Sequence, residues 1–329
     1  MTALYPLKFR TIFKDKLWGG KKIKTILNKD FGPLPNCGET WEISGVEGNI
    51  SEVAEGALAG KDLKSLIQEY QGELVGNKVY NKFQDEFPLL VKFIDANDDL
   101  SIQVHPDDKL AKERHNSFGK TEMWYIFQAD EGSKLISGFN QPMSKEKYLE
   151  AFNAGKLTDI LNQEPVQADD VFFLPAGRVH TIGKGLLLAE IQQTSDITYR
   201  IYDFDRTDAE GNARELHVEE ALDAIDYQHY DSYKTDYEPQ LNKPVKLVSC
   251  PYFETFRIEA NQAIERNYQE LDSFVIYVCM EGEAEIMADG KGYSMKKGDS
   301  YLIPASIKHT KLTTSSSFKM LESFVPQEK

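Results

Sequence analysis

The chain has 329 residues, 41% of them hydrophobic and 28% charged, with a formal net charge of −15. This is the composition of a folded protein long enough for two domains. The acidic excess argues against nucleic acid as a partner, because a binder needs a basic surface, and no apolar run is long enough to cross a bilayer.

An anionic small molecule remains an allowed partner, since it requires only a local pocket of positive charge. The N-terminal stretch lacks an apolar core or a small-residue cleavage site and does not read as a secretion signal. Cys37, Cys250 and Cys279 are far apart and in no CxxC pair. They fit a reducing compartment and supply no thiolate metal cluster, so a cytoplasmic location is expected.

Along the chain, Leu63, Leu66, Ile67 and Tyr70 recur with helical period after Asp62, a predicted N-cap. Short β-rich runs follow at 89–94, 100–105 and 123–127. Tyr148, Leu149 and Phe152 after Ser144 predict a second helix. With 158–161 it reads as an insertion between strands. Further strands are expected at 171–174 and 186–192, and a third helix carries Val218, Ala221, Leu222 and Ile225. Residues 227–243 are polar and Tyr/Asp-rich, and read as a linker. Strands at 274–280 and 301–303 follow it. Gly, Asp and Asn between the runs suggest sandwiches or barrels.

An internal repeat supports division into residues 1–235 and 236–329. Asp170-Val-Phe-Phe-Leu-Pro175-Ala-Gly-Arg-Val-His180-Thr181 aligns with Asp299-Ser-Tyr-Leu-Ile-Pro304-Ala-Ser-Ile-Lys-His309-Thr310. Upstream, 124–132 and 274–282 each run from an apolar strand into Glu-Gly. That alignment sets Asp272 opposite Glu122 and leaves the second copy degenerate, without a second metal.

Three stretches carry chemistry. In Leu100-Ser-Ile-Gln103-Val-His105, residues two apart on a strand share a face, so Gln103 and His105 can address one object. In Gly119-Lys120-Thr-Glu122, a carboxylate enters an apolar strand. In Pro175-Ala-Gly177-Arg-Val-His180, a Pro/Gly turn presents an imidazole. Two imidazoles, one carboxylate and an amide oxygen make a mixed N/O set suited to zinc, manganese or iron(II). His115 and His229 read as surface and linker residues, His217 as a first-turn residue, and His309 as the repeat equivalent of His180.

These residues resemble those of the type I phosphomannose isomerases, in particular the short bacterial class of that cupin family. The resemblance runs from Leu17-Trp18-Gly19-Gly20 and Gly38-Glu39-Thr-Trp41-Glu-Ile-Ser through Pro88-Leu-Leu-Val-Lys92 and Leu100-Ser-Ile-Gln-Val-His-Pro-Asp. Gly119-Lys-Thr-Glu122, Pro175-Ala-Gly-Arg-Val-His180 and Ser195-Asp-Ile-Thr-Tyr-Arg200 complete it.

The resemblance implies a mainly β, double-cupin fold of two jelly-roll-like barrels with helical insertions. It implies one divalent ion, zinc or else Mn2+, Co2+ or Fe2+, on Gln103, His105, Glu122 and His180. It places the catalytic arginine on Arg200, lysines near the sugar phosphate on Lys92 and Lys120, and an acid/base carboxylate on Glu190. The implied reaction interconverts mannose 6-phosphate and fructose 6-phosphate, in a monomer or homodimer.

Two departures stand out: there is no room for the extra helical domain of larger members, and Thr121 replaces a proline common in the longer enzymes. The residues alone leave open an iron(II) cupin dioxygenase, a non-catalytic sugar-phosphate sensor and an isomerase of glucose 6-phosphate. Arg200 could equally serve a structural ion pair with Asp196, Asp203 or Asp205, and Lys92, read as ending its strand, could merely snorkel. Trp18, Glu39 and Trp41 are candidate pocket walls.

Overall fold

The computed structural model describes residues 2–208 and 210–327. In chain order the first strands are β1 (Leu7–Lys8), β2 (Ile12–Lys14), β3 (Glu39–Ile43), β4 (Leu89–Ala96), β5 (Ile102–Val104) and β6 (Glu122–Ala129). They continue as β7 (Lys134–Phe139), β8 (Leu161–Pro165), β9 (Val171–Leu174), β10 (His180–Ile182), β11 (Leu186–Gln193) and β12 (Tyr199–Tyr202). A six-stranded sheet has the order β2-β3-β4-β11-β6-β9, and a five-stranded sheet the order β12-β5-β10-β7-β8.

Alternation along each strand sends one set of side chains to each face. Ile94, Trp124, Ile126 and Leu188 of the six-stranded sheet form one apolar cluster with Leu135 and Ile182 of the five-stranded sheet. The two sheets therefore face each other across a shared interior. The outer face of the five-stranded sheet, with Ile102, Val104 and Ile201, is covered by helical residues Tyr148, Leu157, Ala221 and Leu222.

The remaining strands are β13 (Lys243–Ser249), β14 (Glu254–Ala260), β15 (Ile264–Asn267), β16 (Val275–Ala288), β17 (Lys291–Lys296), β18 (Ser300–Ile303), β19 (His309–Thr313) and β20 (Phe318–Phe324). They form the C-terminal sheet, which the N-terminal β1 joins by pairing with β18. Strand β16 serves two groups: its first half pairs with β18 and β20, its second half with β17 and β19. Between these groups lies an aromatic interior that includes Tyr268, Tyr277 and Tyr301. The largest core cluster joins the units: Val91, Phe93, Met123, Tyr125 and Ile191 meet Ile276, Val278, Leu302 and Leu321.

The helices expected from apolar spacing are present as Leu63–Tyr70, Lys145–Asn153 and Val218–Ala224. The Asp62 carboxylate accepts the Ser65 N–H at 2.8 Å, as an N-cap should. The expected insertion lies between β7 and β8. Helix Asp108–His115 shows no apolar stripe in the sequence because only Ala111 of it is buried.

Two expectations are corrected. Lys92 lies in the middle of β4, not at its end, and is 5% exposed. The repeat register also shifts by three residues. With Pro175 set on Pro304, Leu174 corresponds to Ile303, and their cross-strand partners are Glu122 and Val275. Asp272 instead accepts the N–H groups of Asn77 and Lys78 at 2.7 and 3.0 Å.

Gly20, the second of the Gly19-Gly20 pair, is explained by Asp95 on β4. A Cβ on Gly20 would lie 2.5 Å from Asp95 Oδ2. Asp95 is fully buried, and Oδ2 accepts the Lys22 N–H at 2.6 Å while Oδ1 has no partner among the described residues. Burial pushes its carboxyl from 3.8 to about 6, against the lowering effect of the Lys22 N–H. The native state thus holds a proton that the unfolded chain releases, and stability falls as pH rises through that window. The stability of Asp95→Asn relative to wild type should therefore grow by about 1–3 kcal/mol from about pH 4 to about pH 8. Urea melts across that range test this, and a pH-independent difference would contradict it.

Candidate metal centre and its pocket

Two cross-strand rows place the site residues. On the five-stranded sheet, Gln103 of β5 stands opposite His180 of β10 and Arg200 of β12. On the six-stranded sheet, Glu190 of β11 stands opposite Lys92 of β4 and Trp124 of β6, and Lys92 opposite Trp41 of β3. Directly opposed residues share a face, so each row is held by backbone register and not by side-chain choice.

His105, Glu122 and His180 come together with ligand atoms all within 4.8 Å of one another. Glu122 Oε2 lies 3.6 Å from His105 Nε2, and Oε1 lies 3.4 Å from His180 Nε2. Each imidazole is oriented by its other nitrogen: His105 Nδ1 is 2.8 Å from the Ile197 carbonyl, His180 Nδ1 2.8 Å from the Arg178 carbonyl. A carbonyl can only accept, so Nδ1 carries the proton and Nε2 turns a lone pair inward. Burial lowers both imidazoles, His180 to about 3, so they are neutral at neutral pH.

Glu122 is fully buried, and neither oxygen has a donor aligned on it. Burial and the nearby Glu190 charge push its carboxyl up. Lys120 Nζ stands 2.9 Å from both Glu122 Oε2 and His105 Nε2. A buried carboxylate with Lys120 at one oxygen, converging with two neutral imidazoles whose Nε2 lone pairs face it, fits a divalent cation. The Gln103 amide end lies 3.2 Å from His180 Nε2. A half-turn of that amide exchanges its nitrogen and oxygen, so Gln103 can offer an oxygen at the same place.

Above the triad is a cavity of about 330 Å³ lined by Lys16, Lys92, Lys120, Arg200 and Arg214 against Glu39, Glu190 and Asp196. Cations outnumber acids there, although the whole chain is acidic. The candidate walls Trp18, Glu39 and Trp41 all line this cavity.

Glu190 accepts from Lys92 Nζ at 3.1 Å and Trp124 Nε1 at 2.8 Å. Burial would raise its carboxyl, but Lys92, Lys120 and the Trp124 N–H outweigh that and hold it ionised. Arg200 donates to the Glu215 carbonyl at 2.8 Å, and its Nε has no partner among the described residues. Asp203, a rival partner for Arg200, is instead taken by Arg206 and Arg214. Sequence reasoning missed Lys16 and Arg214; Arg214 lies in an irregular segment with no periodicity to mark it.

A β scaffold whose interior gathers such a triad beneath a cation-lined cavity defines a metal-binding cupin. Residues 6–131 match the family described as phosphomannose isomerase type I, catalytic domain, and residues 243–324 match the mannose-6-phosphate isomerase cupin domain. The chain is 36% identical over 307 residues to a mannose-6-phosphate isomerase of Streptococcus mutans, covering 92% of this chain and 93% of that one. It is 34% identical over 316 residues to one of Bacillus subtilis, covering 93% and 95%. A crystal structure of the mannose 6-phosphate isomerase from Bacillus subtilis superposes with a TM-score of 0.86 at 32% identity, over 97% of this chain and 99% of that one. The chain belongs to the type I phosphomannose isomerase family.

His309, the repeat equivalent of His180, is exposed, bonds Gln269 at 2.9 Å and has Val275 where the first copy has Glu122. Metal analysis of the purified protein should find about one divalent ion per chain, most of it lost in His180→Ala and retained in His309→Ala. Equal loss in both variants would overturn the assignment of a single centre.

Proposed function

We propose that this enzyme interconverts mannose 6-phosphate and fructose 6-phosphate through an enediolate, with zinc on His105, Glu122, His180 and Gln103. The observation that carries this reading is the convergence of two imidazoles and a buried carboxylate next to a cavity rich in Lys and Arg, which Gln103 and Lys120 line while touching the triad. A bound divalent ion would supply Lewis-acid charge for sugar oxygens. Mn2+, Co2+ or Fe2+ suits the same ligands.

The chain's own residues do the rest. Arg200, which makes no ion pair among the described residues, offers a planar fork to phosphate or to developing enediolate charge. Lys92 and Lys120 place two ammonium groups on the cavity wall. They anchor the anion so that the sugar's reacting carbons are held in one position. Glu190 is the candidate base for the proton moved between adjacent carbons. Its two donors lower its basicity, so Lys92 must turn toward substrate before Glu190 accepts the proton. Residues 1–235 would form the catalytic unit and residues 236–329 a unit without chemistry of its own.

An iron(II) dioxygenase would use the same two-His, one-carboxylate set. The excess of cations around the cavity favours an anionic substrate instead, as do the isomerases among the relatives.

A coupled assay with mannose 6-phosphate, with and without a chelator, tests the reading. Activity should vanish on metal removal and return with zinc. Turnover by metal-free protein, or oxygen uptake by iron-loaded protein, would sink it. Arg200→Ala should lower kcat/KM by about ten- to a hundred-fold, the loss expected for a charge-assisted hydrogen bond, while leaving metal content unchanged. Steady-state kinetics paired with metal analysis checks both.

A further inference from the structure

The Pro106-Asp107-Asp108 segment after the first ligand is not consumed by the site described above. Asp107 caps helix Asp108–His115, its carboxylate accepting the Leu110 N–H at 2.8 Å. Asp108 points elsewhere. Its Oδ1 accepts the Gly119 N–H at 2.9 Å and Gln193 Nε2 at 2.9 Å, and its Oδ2 accepts the Tyr252 hydroxyl at 2.8 Å. Gly119 allows this approach, because a Cβ there would lie 2.5 Å from the Asp108 backbone nitrogen.

These partners lead to two metal ligands. Gln193 Oε1 accepts the Thr121 N–H at 2.8 Å, one residue before Glu122. The Thr121 hydroxyl then accepts the Ala176 N–H at 3.2 Å, in the turn that presents His180. A proline at 121 would have neither the N–H nor the hydroxyl, so the departure from the longer enzymes forms both links. The segment bearing His105 and Asp108 is also joined to that turn through backbone: the His105 carbonyl accepts the Gly177 N–H at 2.9 Å. Tyr252 belongs to the other unit, at the tip of the hairpin between β13 and β14. Thr121 and Gln193 are 4% and 5% exposed, so water does not replace these bonds at low cost.

We propose that Asp108 is a positioning residue of the metal centre, and that Tyr252 links the C-terminal unit through it to the segment bearing Glu122, so that this unit sets metal affinity. The inference rests on the metal reading above. Ligand direction is worth a large factor in affinity, and groups that orient ligands share in it.

The test is zinc affinity of apo-protein, by competition with a chromophoric chelator, alongside thermal melting. Asp108→Ala should weaken zinc binding by about ten-fold or more, within the range for outer-shell groups. Tyr252→Phe should weaken it several-fold. Asp108→Asn keeps an oxygen for Gly119 and Gln193 but loses the acceptor for Tyr252, so it should match Tyr252→Phe, and the double variant should be no worse than either single one. Tyr237→Phe is the control: it removes another bond between the units, to the Asp169 carbonyl at 2.6 Å, and should leave zinc affinity unchanged.

Zinc affinity at the wild-type level in both Tyr252→Phe and Asp108→Asn would overturn the proposal, whatever the melting temperatures. These two decide the matter if Asp108→Ala does not fold. Wild-type protein that takes up no zinc would sink the proposed function and this inference together; zinc-binding wild type with unaffected variants would sink the inference alone.

Discussion

The carboxylate of Glu122 is buried to zero exposure between two imidazoles that burial itself keeps neutral. An ionised group in that position costs several kcal/mol unless something opposite in charge stands beside it. Lys120 supplies one such charge from 2.9 Å, at Oε2 alone, and burial with the Glu190 charge still pushes the carboxyl up. The pull on Glu122 is therefore unfinished by protein groups, and that incompleteness is what a cation completes. The neighbouring geometry follows from it. The nitrogens must be turned inward by carbonyls, and the strands must hold three distant segments in register against a burial that favours neither.

The second cupin copy shows how the same interior looks when it is finished. With Trp124 set on Tyr277, the cross-strand partner of each is a buried glutamate, Glu190 in one copy and Glu322 in the other. Glu322 receives two bonds from Arg266, at 2.8 and 2.6 Å, and a third from the Tyr268 hydroxyl at 2.6 Å. Tyr268 continues the network to Tyr277, which bonds Thr310 at 2.7 Å. Here the planar guanidinium matches the carboxylate fork for fork, and the surrounding aromatics fill the space. Glu190 receives a single ammonium and an indole N–H, and it borders a cavity. Equivalent positions thus hold a closed structural pair in one copy and an open, cavity-lining pair in the other.

Much of this was legible in the sequence. Alternation set Gln103 and His105 on one face, and Asp62 and Ser144 marked helix starts correctly. Which segments meet was not: nothing local to Glu122 says that Gln192 lies across from it, or that Arg200 pairs with Gln103. The repeat was aligned three residues out for a definite reason. Glu131-Gly132 is a turn, whereas Glu281-Gly282 lies inside the long β16, so the two Glu-Gly pairs are not equivalent. Lys92 was misplaced because a lysine after an apolar run reads as an exit, and the groups that make a buried ammonium tolerable, Glu190 first and Glu39 after it, come from other strands. Helix Asp108–His115 left no stripe because it is anchored by its first residues and not by an apolar face.

The packing of the two β units against each other then has a mechanical consequence. Along β4, β6 and β11 the side chains facing the cavity alternate with Val91, Phe93, Met123, Tyr125, Ala189 and Ile191, which are locked into a core shared with Ile276, Val278 and Leu321. Tight packing on that rear face restricts how far any of the three strands can twist or slide. A one-residue slip would turn Lys92 and Glu190 away from the cavity and Glu122 away from the two imidazoles. A sheet with a half-charged, partly hollow front face is a poor source of its own rigidity. The closed and aromatic second copy, packed against its back, is what keeps a site with unsatisfied charges in one register.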